Sequence, residues 1–330
     1  MAGQGRVLFF FFRSYLPGGS TTDPQIQIVL EPRSRMRPLS PTMSPAGVRT
    51  REILDSDIDA VTRLLASGFS RSTRKNWLDI FAGLAAHRTP AGLPKYGYLM
   101  ESEGAPVGVI LVISSTVRNG DVSTIRCNLS SWYVSPAFRS FAHLFISRIL
   151  KNKDFTYVNV SPAPHTLPII TVQGFSRYSA GQFYALAMSF RPSRNPQVNV
   201  VPAGVLPGTR FESFEYDLLQ EHAKFGCMSL WCLTSDRACP FVFRSRVIRG
   251  FMPVVQLVYC RNIDEFVRFA GPIGRFLARR GFFFVMIDAN GPIPGLLGIY
   301  RDRSLPKYYK GQMPPRLGDI AYTESALFGI

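Results

Sequence analysis

The stretch SSWYVSPAFRSFAHLFISRIL (residues 130–150) has the pattern of a strand, then a short basic turn, then a helix. Its first residues alternate as in a half-buried strand, and its last residues have the spacing of an amphipathic helix. Between them the chain turns at Pro136 and passes Arg139. Because a helix N-terminus offers free N–H groups and a positive dipole end, the stretch predicts an α/β unit with an anion site. The alternative interpretation is a plain turn with a solvated arginine.

The charge of the chain also favours an anionic partner. The 330 residues include 38 Lys and Arg against 22 Asp and Glu, a net charge of +16. The basic residues are scattered, and neither an RRM-like aromatic motif nor a zinc-finger spacing is present. We therefore expect a local site for a phosphorylated cofactor and no nucleic-acid partner. With 46% hydrophobic residues, the chain can bury the cores of two domains.

The cysteines and the apolar runs predict neither a metal site nor a membrane span. An odd number of cysteines, five, favours reduced thiols and a cytoplasmic location. Cys227, Cys232 and Cys239 are spaced C-x4-C-x6-C, without the CxxC knuckle of a zinc site. The run VLFFFF (residues 7–12) stops at Arg13, and no apolar run reaches the roughly 18 residues that span a bilayer.

Composition divides the chain into four parts. Residues 1–46 are rich in Pro, Ser, Gly and Arg, which predicts a disordered leader. Residues 47–190 show regular periodicity and form the first predicted domain. Residues 191–209 contain four prolines and two glycines, which is typical of a linker. Residues 210–330 form the second predicted domain.

The two predicted domains have similar element orders. The first reads β-α-α-β-β-β-α-β-α-β, with a helix predicted over residues 138–151 after the basic turn. The second reads a helix, three strands, a helix, a strand and a closing strand at IAYTESALFGI (residues 320–330). Each domain ends with an aromatic-basic-Gly stretch before its closing strand, which indicates an internal repeat.

Three features carry a resemblance to a known family. The strand ends in WYVSP (residues 132–136), the turn reads RSFAHL (residues 139–144), and a helical turn ends in Gly-Phe within VQGFSRY (residues 172–178). This pattern resembles the GNAT superfamily of acyl-CoA-dependent acyltransferases over about residues 48–190. The resemblance implies a mixed α/β (α+β) fold of two tandem GNAT-like domains, each a mixed central sheet flanked by helices. It also implies acyl-CoA, such as acetyl-CoA, as co-substrate.

The resemblance places cofactor binding on the central strand and the turn. Tyr133 and Val134 would pair with the pantetheine arm through their backbone, and the N–H groups of the turn would hold the diphosphate. Ala142 and Leu144 replace small glycines of the family, and Leu144 is tolerated there if it points into the core. Ile170 replaces a usual tyrosine. The cofactor-binding residues so implied are Tyr133, Val134, Arg139, Ser140, Phe141, Ala142, His143 and Leu144. Basic residues that could add attraction for the 3'-phosphate are Arg139, Arg148, Lys151 and Lys153.

The implied reaction is direct attack of an amine or hydroxyl on the thioester, without a covalent enzyme intermediate. Candidate catalytic residues are Ser131, Tyr133 and His165, with Glu101 as a further candidate. His165, beside prolines, also has a purely structural interpretation. A backbone N–H of the central strand would stabilise the oxyanion. The expected acceptor is a small molecule or a sugar, and the chain is expected to be a monomer or homodimer.

Other functions and the role of the second domain remain open at this point. The alternatives are a non-catalytic acyl-CoA-binding or scaffold protein, a Fem-type aminoacyl transferase, and a nucleic-acid binder suggested only by charge. In the second domain the corresponding turn, YCRNIDEFVRF (residues 259–269), puts Asp264 and Glu265 at the helix start, where they repel a diphosphate. We therefore expect one acyl-CoA per chain, with the second domain as a wall of the acceptor pocket.

Overall fold

The computed structural model of the chain describes residues 47–70, 72–119, 122–187, 198–248 and 250–329. Residues 47–187 are here called the first half and residues 198–329 the second half. The predicted leader, residues 1–46, and the first part of the predicted linker, residues 191–197, lie outside the described residues.

The first half alternates strands and helices from its beginning. Its α2 helix shows how local signals act: the Thr73 hydroxyl accepts a hydrogen bond from the N–H of Asn76 (3.2 Å) and caps the helix. Trp77, Phe81 and Leu84 then recur at helical spacing and are buried. The elements are β1 (Val48–Glu52), α1 (Ile58–Gly68), α2 (Arg74–Ala86), β2 (Gly97–Ser102), β3 (Ala105–Asn119), β4 (Val122–Val134), α3 (Ala142–Ile149), β5 (Thr156–Asn159), α4 (Leu167–Val172) and β6 (Ser176–Leu186).

The second half follows the same plan. Its α6 helix begins where the Asn262 side chain accepts a hydrogen bond from the N–H of Glu265 (2.7 Å). Phe266, Phe269 and Ile273 form its buried stripe. The elements are β7 (Asn199–Pro202), α5 (Ser213–Lys224), β8 (Met228–Leu233), β9 (Ala238–Ile248), β10 (Met252–Tyr259), α6 (Ile263–Ala278), β11 (Phe284–Ala289), β12 (Gly298–Lys310) and α7 (Glu324–Leu327).

The twelve strands of the described residues form one mixed sheet in the order β1-β2-β3-β4-β5-β12-β6-β11-β10-β9-β8-β7. Each half contributes an antiparallel hairpin, a crossover helix and a strand parallel to the second hairpin strand: β3-β4-α3-β5 in the first half and β9-β10-α6-β11 in the second. Counted inward from the two edges of the sheet, the strands of the two halves follow in the same order. One edge reads β1 to β5 and then β12, and the other reads β7 to β8 to β9 to β10 to β11 and then β6. The last strand of each half is exchanged, since β12 pairs with β5 and β6 pairs with β11.

One hydrophobic core joins the two halves. Leu65 of α1 and Phe81 of α2 belong to the same buried cluster as Trp231 of β8 and Val242 of β9. The opposite face of the first half is covered by α3, through Phe145 and its neighbours, and α6 covers the corresponding face of the second half. The apolar face of each half is therefore completed by the other.

The structure confirms the predicted mixed α/β fold and corrects three predicted elements. The closing strand predicted over residues 320–330 is wrong: the last strand is Gly298–Lys310, and the later residues form a turn and α7. There the Thr323 hydroxyl donates a hydrogen bond to the Ile320 carbonyl (2.7 Å). Local hydrogen bonds of this kind take the place of pairing with a neighbouring strand. The helix predicted over residues 138–151 is a 3₁₀ turn, Pro136–Phe141, followed by the shorter α3. Strand β7 lies within the predicted linker.

The predictions about metals, thiols and membranes can be compared only with the part of the chain that the structure describes. All five cysteines are buried free thiols. Within the described ranges, no group of three or more His, Cys, Asp or Glu side chains could hold a metal ion. None of the described helices combines the length and the apolar character needed to cross a bilayer.

Candidate functional site

Strands β4 and β5 are parallel neighbours that separate after a short paired region. Pairing runs from Arg126 with Thr156 to Asn128 with Val158, and β5 then ends at Asn159. Strand β4 continues to Val134 with only β3 beside it. Along Leu129–Val134 the edge of β4 that faces away from β3, here called the open edge, has no backbone partner among the described residues. Such an edge offers a row of N–H and C=O groups to an extended ligand.

A β-bulge interrupts β4 at the beginning of the open edge. Leu111 of β3 pairs with Ser130 and Val109 pairs with Tyr133, so β4 carries one extra residue between these pairs. Ser131 adopts a φ of 50°, in the left-handed region that non-glycine residues rarely occupy. The hydroxyls of Ser130 and Ser131 lie 3.2 Å apart and therefore point to the same side. Bulges of this kind change the direction of a strand's backbone groups and often occur next to active sites.

The side chains of Tyr133 and Val134 are held by packing, which leaves their backbone to the open edge. The Tyr133 ring lies against the end of α1, where a Cβ on Gly68 would approach the ring to 2.3 Å. It also contacts Phe69, with ring centroids 6.3 Å apart. Val134 is buried beneath α3. The ring of Tyr133 is thus held in place by packing.

The basic turn follows the open edge directly. Arg139 and Ser140 are exposed in the 3₁₀ turn, and Arg139 has no ion pair with any described residue. The first turn of α3 contains no acidic residue. Ala142, which stands where the family has a glycine, is buried. Leu144 is 50% exposed and does not point into the core. The condition under which Leu144 would be tolerated is therefore not met, and its side chain lies on the surface beside exposed His143.

The remaining predicted catalytic residues lie in different surroundings. His165 is exposed in a 3₁₀ turn, Pro164–Thr166, after β5, without a hydrogen-bond partner among the described residues. Because β4 and β5 are parallel, this turn and the basic turn both follow the C-terminal ends of their strands, at the same end of the sheet. Glu101 is buried on β2 and forms ion pairs with Arg49 (3.1 Å) and Arg51 (2.8 Å), so it joins β1 to β2. Its carboxylate is engaged in these two ion pairs.

Glu324 lies where β4 and β5 separate and was not predicted. Its carboxylate accepts hydrogen bonds from Asn128 of β4 and from the Ser161 hydroxyl after β5. The side chain is 1% exposed, and burial raises the pKa of Glu324. Nearby, Arg126 forms an ion pair with Asp319 (3.2 Å). No sequence signal indicates these contacts, because they join residues 163 to 196 positions apart.

The corresponding position in the second half is filled by the chain itself. Strands β10 and β11 are parallel at Val255 and Gln256 and then separate in the same way. Here the Cys260 N–H donates to the Gly318 carbonyl (2.8 Å), and the Ile320 N–H donates to the Val258 carbonyl (2.9 Å). Since β9 occupies the other edge of β10, the segment Gly318–Ile320 takes the place that is open in the first half.

A cavity of about 670 Å³ lies between the halves, on the face of β4 that carries Arg126. The first half contributes the loop after α2 and the end of β3, and the second half contributes α5 and the segment around Tyr322. This cavity is here called the His87 cavity, after a buried residue of its wall.

Three solved structures that share this architecture are named as an N-acetyltransferase, a putative acetyltransferase and a probable N-acyltransferase. A GCN5-related N-acetyltransferase from Anabaena variabilis superposes with a TM-score of 0.53 at 12% identity, covering 79% of this chain and 72% of that one. A putative acetyltransferase from Pyrococcus horikoshii gives 0.51 at 13% identity, covering 85% and 95%. A probable N-acyltransferase from Enterococcus faecalis gives 0.50 at 10% identity, covering 83% and 74%. No family model matches the sequence, and no curated protein does.

The chain therefore has the GNAT fold, as the sequence pattern predicted. At 10 to 13% identity this likeness concerns the fold, and the arguments about activity come from the open edge, the bulge and the basic turn.

Proposed function

We propose that the chain is an acyl-CoA-dependent acyltransferase that moves an acetyl or longer acyl group to the amine or hydroxyl of a small molecule or sugar, with N-acylation preferred. The observation that carries this proposal is the contrast between the two halves. Both contain the same pair of separating parallel strands, but only the first keeps an open edge. The edge is followed by a basic turn and by a helix without acids in its first turn.

The residues of the first half fit an acyl-CoA in three places. The backbone of Tyr133 and Val134 is available to pair with the pantetheine arm. The turn around Arg139 offers positive charge and helix N–H groups to the diphosphate. The bulge at Ser131 changes the direction of the backbone beside the expected position of the thioester.

In the proposed reaction the acceptor attacks the thioester carbonyl carbon, the C–S bond breaks, and the CoA thiolate takes a proton. Negative charge develops on the carbonyl oxygen, which a backbone N–H near the bulge stabilises. Ser131, Tyr133 and His165 are the proposed proton-transfer residues. Ser131 lies at the bulge itself, and Glu324 joins the two strands at the base of the open edge.

The proposal is tested by acyl-CoA binding to the intact chain and to Arg139→Glu. Acyl-CoA at about 100 times its Kd should add roughly 2.7 kcal/mol to the free energy of unfolding of the parent chain, because only the folded state binds it. Arg139→Glu should abolish this gain, since it places a carboxylate beside the phosphates. The matched control is Arg279→Glu, an exposed arginine after α6 with the same charge change. No thermal shift with any acyl-CoA at millimolar concentration would contradict the proposal.

A second candidate function is acyl-CoA binding without transfer. It is favoured by Leu144, whose exposed side chain occupies a position where the family has a small residue, and by Ile170, a buried aliphatic residue where the family has a tyrosine hydroxyl. Mass spectrometry separates the two functions: an acyl-CoA retained intact in the presence of a panel of amines and sugars supports binding alone, and an acylated acceptor supports transfer.

A further inference from the structure

Ser161 is an exposed residue whose hydroxyl is bonded to a buried carboxylate. Its Oγ donates to Glu324 Oε1 at 2.6 Å, and Glu324 is only 1% exposed. Asn128 of β4 donates to the other oxygen of the same carboxylate. Because the single hydrogen of the Ser161 hydroxyl is directed to Glu324, the lone pairs of its oxygen are left for a group that donates a hydrogen bond. One hydroxyl therefore connects the buried carboxylate to the surface.

Ser161 flanks the gap that opens where β4 and β5 separate. The last backbone pair of the two strands is Asn128 with Val158. Ser131, at the bulge, and Ser161 each follow this pair by three residues, on the two sides of the gap. Glu324 bonds both Asn128 and Ser161, so it keeps Ser161 near β4 after the backbone pairing has ended. The Ser161 hydroxyl thus lies at the level of the bulge, where the thioester is expected.

The surroundings of Glu324 suit a group that takes up and releases a proton. Burial raises the pKa of Glu324, and the hydrogen bonds from Ser161 and Asn128 act in the opposite direction. The positive charge of Lys307, which forms an ion pair with Asp288 (3.1 Å), also lowers it. Burial has the larger effect, so the carboxylate is a stronger base than an exposed glutamate.

We propose that Ser161 is a catalytic residue that takes a proton from the ammonium group of the acceptor and passes its own hydroxyl proton to Glu324. This assignment deepens the proposed function and rests on it. Glu324 acts through Ser161 and is a positioning residue, since it orients the hydroxyl and receives its proton. Ser161 belongs to the first half and Glu324 to the second, so the proton relay needs both halves of the chain.

The proton transfers balance over the reaction. One N–H bond of the ammonium breaks as an O–H bond forms on Ser161, and the original Ser161 O–H bond breaks as one forms on Glu324 Oε1. The neutral amine then attacks the thioester, and the proton that the nitrogen loses after the attack goes to the CoA thiolate. After the products leave, Glu324 returns its proton to water through Ser161. The sum is one amide, one CoA thiol and one released proton.

Variants of both residues test the relay in the full chain. The co-substrate is acetyl-CoA, the amine probes are 2-phenylethylamine, tyramine, spermidine and glucosamine, and mass spectrometry follows the acetylated amine. Glu324→Gln keeps an oxygen that accepts from Ser161 but cannot take a proton, and Ser161→Ala removes the hydroxyl. Each should lower kcat at least about 100-fold and leave the Kd of acetyl-CoA within about twofold. Ser161→Thr keeps a hydroxyl and should recover most of the lost rate.

The pH profile separates proton transfer from a loss of packing. In the parent chain kcat/KM should fall in acid as Glu324 becomes protonated, and this fall should be absent in Glu324→Gln. Other ionisable groups whose charges act on Glu324 are Lys307 of β12, Tyr178 of β6 and Arg246 of β9. Burial raises the pKa of Tyr178 well above its usual value and lowers that of Arg246 to about 10. None of the three changes its charge in acid, so the fall reports Glu324.

Matched controls are Ser176→Ala, at an exposed serine of β6, and Glu265→Gln, at a buried glutamate of α6. Both should keep the parent rate and pH profile. Parent rates in Ser161→Ala, or an unchanged acid fall in Glu324→Gln, would overturn the assignment and leave the proposed function standing. Because Ser161 is exposed, its variants decide the question even if Glu324→Gln does not fold.

The parent chain itself distinguishes the remaining results. If it binds acetyl-CoA but acetylates none of the four amines, binding without transfer is supported and the relay is overturned. If it binds no acyl-CoA, the proposed function fails and the relay fails with it. Transfer by the parent chain that is lost in Ser161→Ala and restored in Ser161→Thr supports both proposals.

Discussion

Tyr322 is held in a left-handed backbone conformation between two buried histidines. Its φ is 55°, and its ring centroid lies 5.5 Å from that of His87 and 4.6 Å from that of His222. The Tyr322 N–H donates to His222 Nε2 (3.1 Å), and His222 Nδ1 donates to the Leu218 carbonyl (2.8 Å). Both nitrogens are engaged only when His222 is neutral, and burial lowers its pKa to about 4.

We predict that acid weakens the fold through His222 before most carboxylates titrate. Its pKa is lower in the folded chain than the unfolded value of 6.5, so below pH 6.5 the unfolded chain binds a proton that the folded chain does not. The stabilisation is complete above pH 6.5 and is lost as the pH falls towards 4. Between pH 7.5 and 5.5 the loss should be about 1 kcal/mol, with His87 adding to it in the same direction.

Urea unfolding at several pH values measures this effect. His222→Gln should reduce the pH dependence by this share, even if the variant is less stable at every pH. The control His165→Gln, at an exposed position, should leave the dependence unchanged. A pH dependence that is identical in the parent chain and in His222→Gln would contradict the prediction.

At the scale of elements, the two crossover helices begin in opposite ways. Helix α3 follows an exposed arginine and has no acid in its first turn. Helix α6 has Asp264 and Glu265 in its first turn, and the preceding Arg261 is paired with Glu215 (2.6 Å). The acids already interact favourably with the α6 dipole, so a diphosphate there meets repulsion, and the arginine that precedes the helix, Arg261, is already paired.

We predict that one chain binds one acyl-CoA, because the open edge of the first half corresponds to a filled edge in the second. Native mass spectrometry and calorimetry should give a stoichiometry near one per chain. Arg139→Glu should remove this binding, and Arg268→Glu, an exposed arginine of α6, should not. Two equivalent acyl-CoA molecules per chain would show that segment Gly318–Ile320 is displaced on binding.

At the scale of the whole molecule, the exchange of β6 and β12 joins the halves. Strand β12 lies between β5 and β6, and its Lys307, 1% exposed, forms an ion pair with Asp288 of β11 (3.1 Å). Gln182 of β6 donates to the same carboxylate (2.6 Å). Removing either half leaves strands without neighbours and a buried charge without its partner, which is strongly destabilising.

We predict that residues 47–190 do not fold alone, although they carry the whole candidate acyl-CoA site. Expressed separately, this fragment should lack a cooperative thermal transition, because β5 loses β12 and β6 loses both neighbours. Co-expression with residues 191–330 should restore a single transition near that of the intact chain. A cooperative transition of the first fragment alone would show that the predicted division at residues 191–209 separates independent domains.

The sequence by itself determined the elements that local periodicity and turns specify. The strand, basic turn and helix around Arg139 follow one another as expected. The similar order of elements in the two halves was also readable, because each element depends mainly on residues a few positions apart.

Only the tertiary structure decided what lies beside each strand edge. The exchange of the last strands, the bulge at Ser131 and the filling of the second edge by Gly318–Ile320 depend on partners far away in the chain. The contacts of Glu324 with β4 and the wall of the His87 cavity are of the same kind. The residues after Lys310 alternate like a strand, yet they find their partners in the shared core and at the edge of β10. Hydrogen bonds and packing contacts between distant residues form only when the whole sheet assembles. Local sequence pattern therefore specifies the elements but not which of the two similar strand edges stays open.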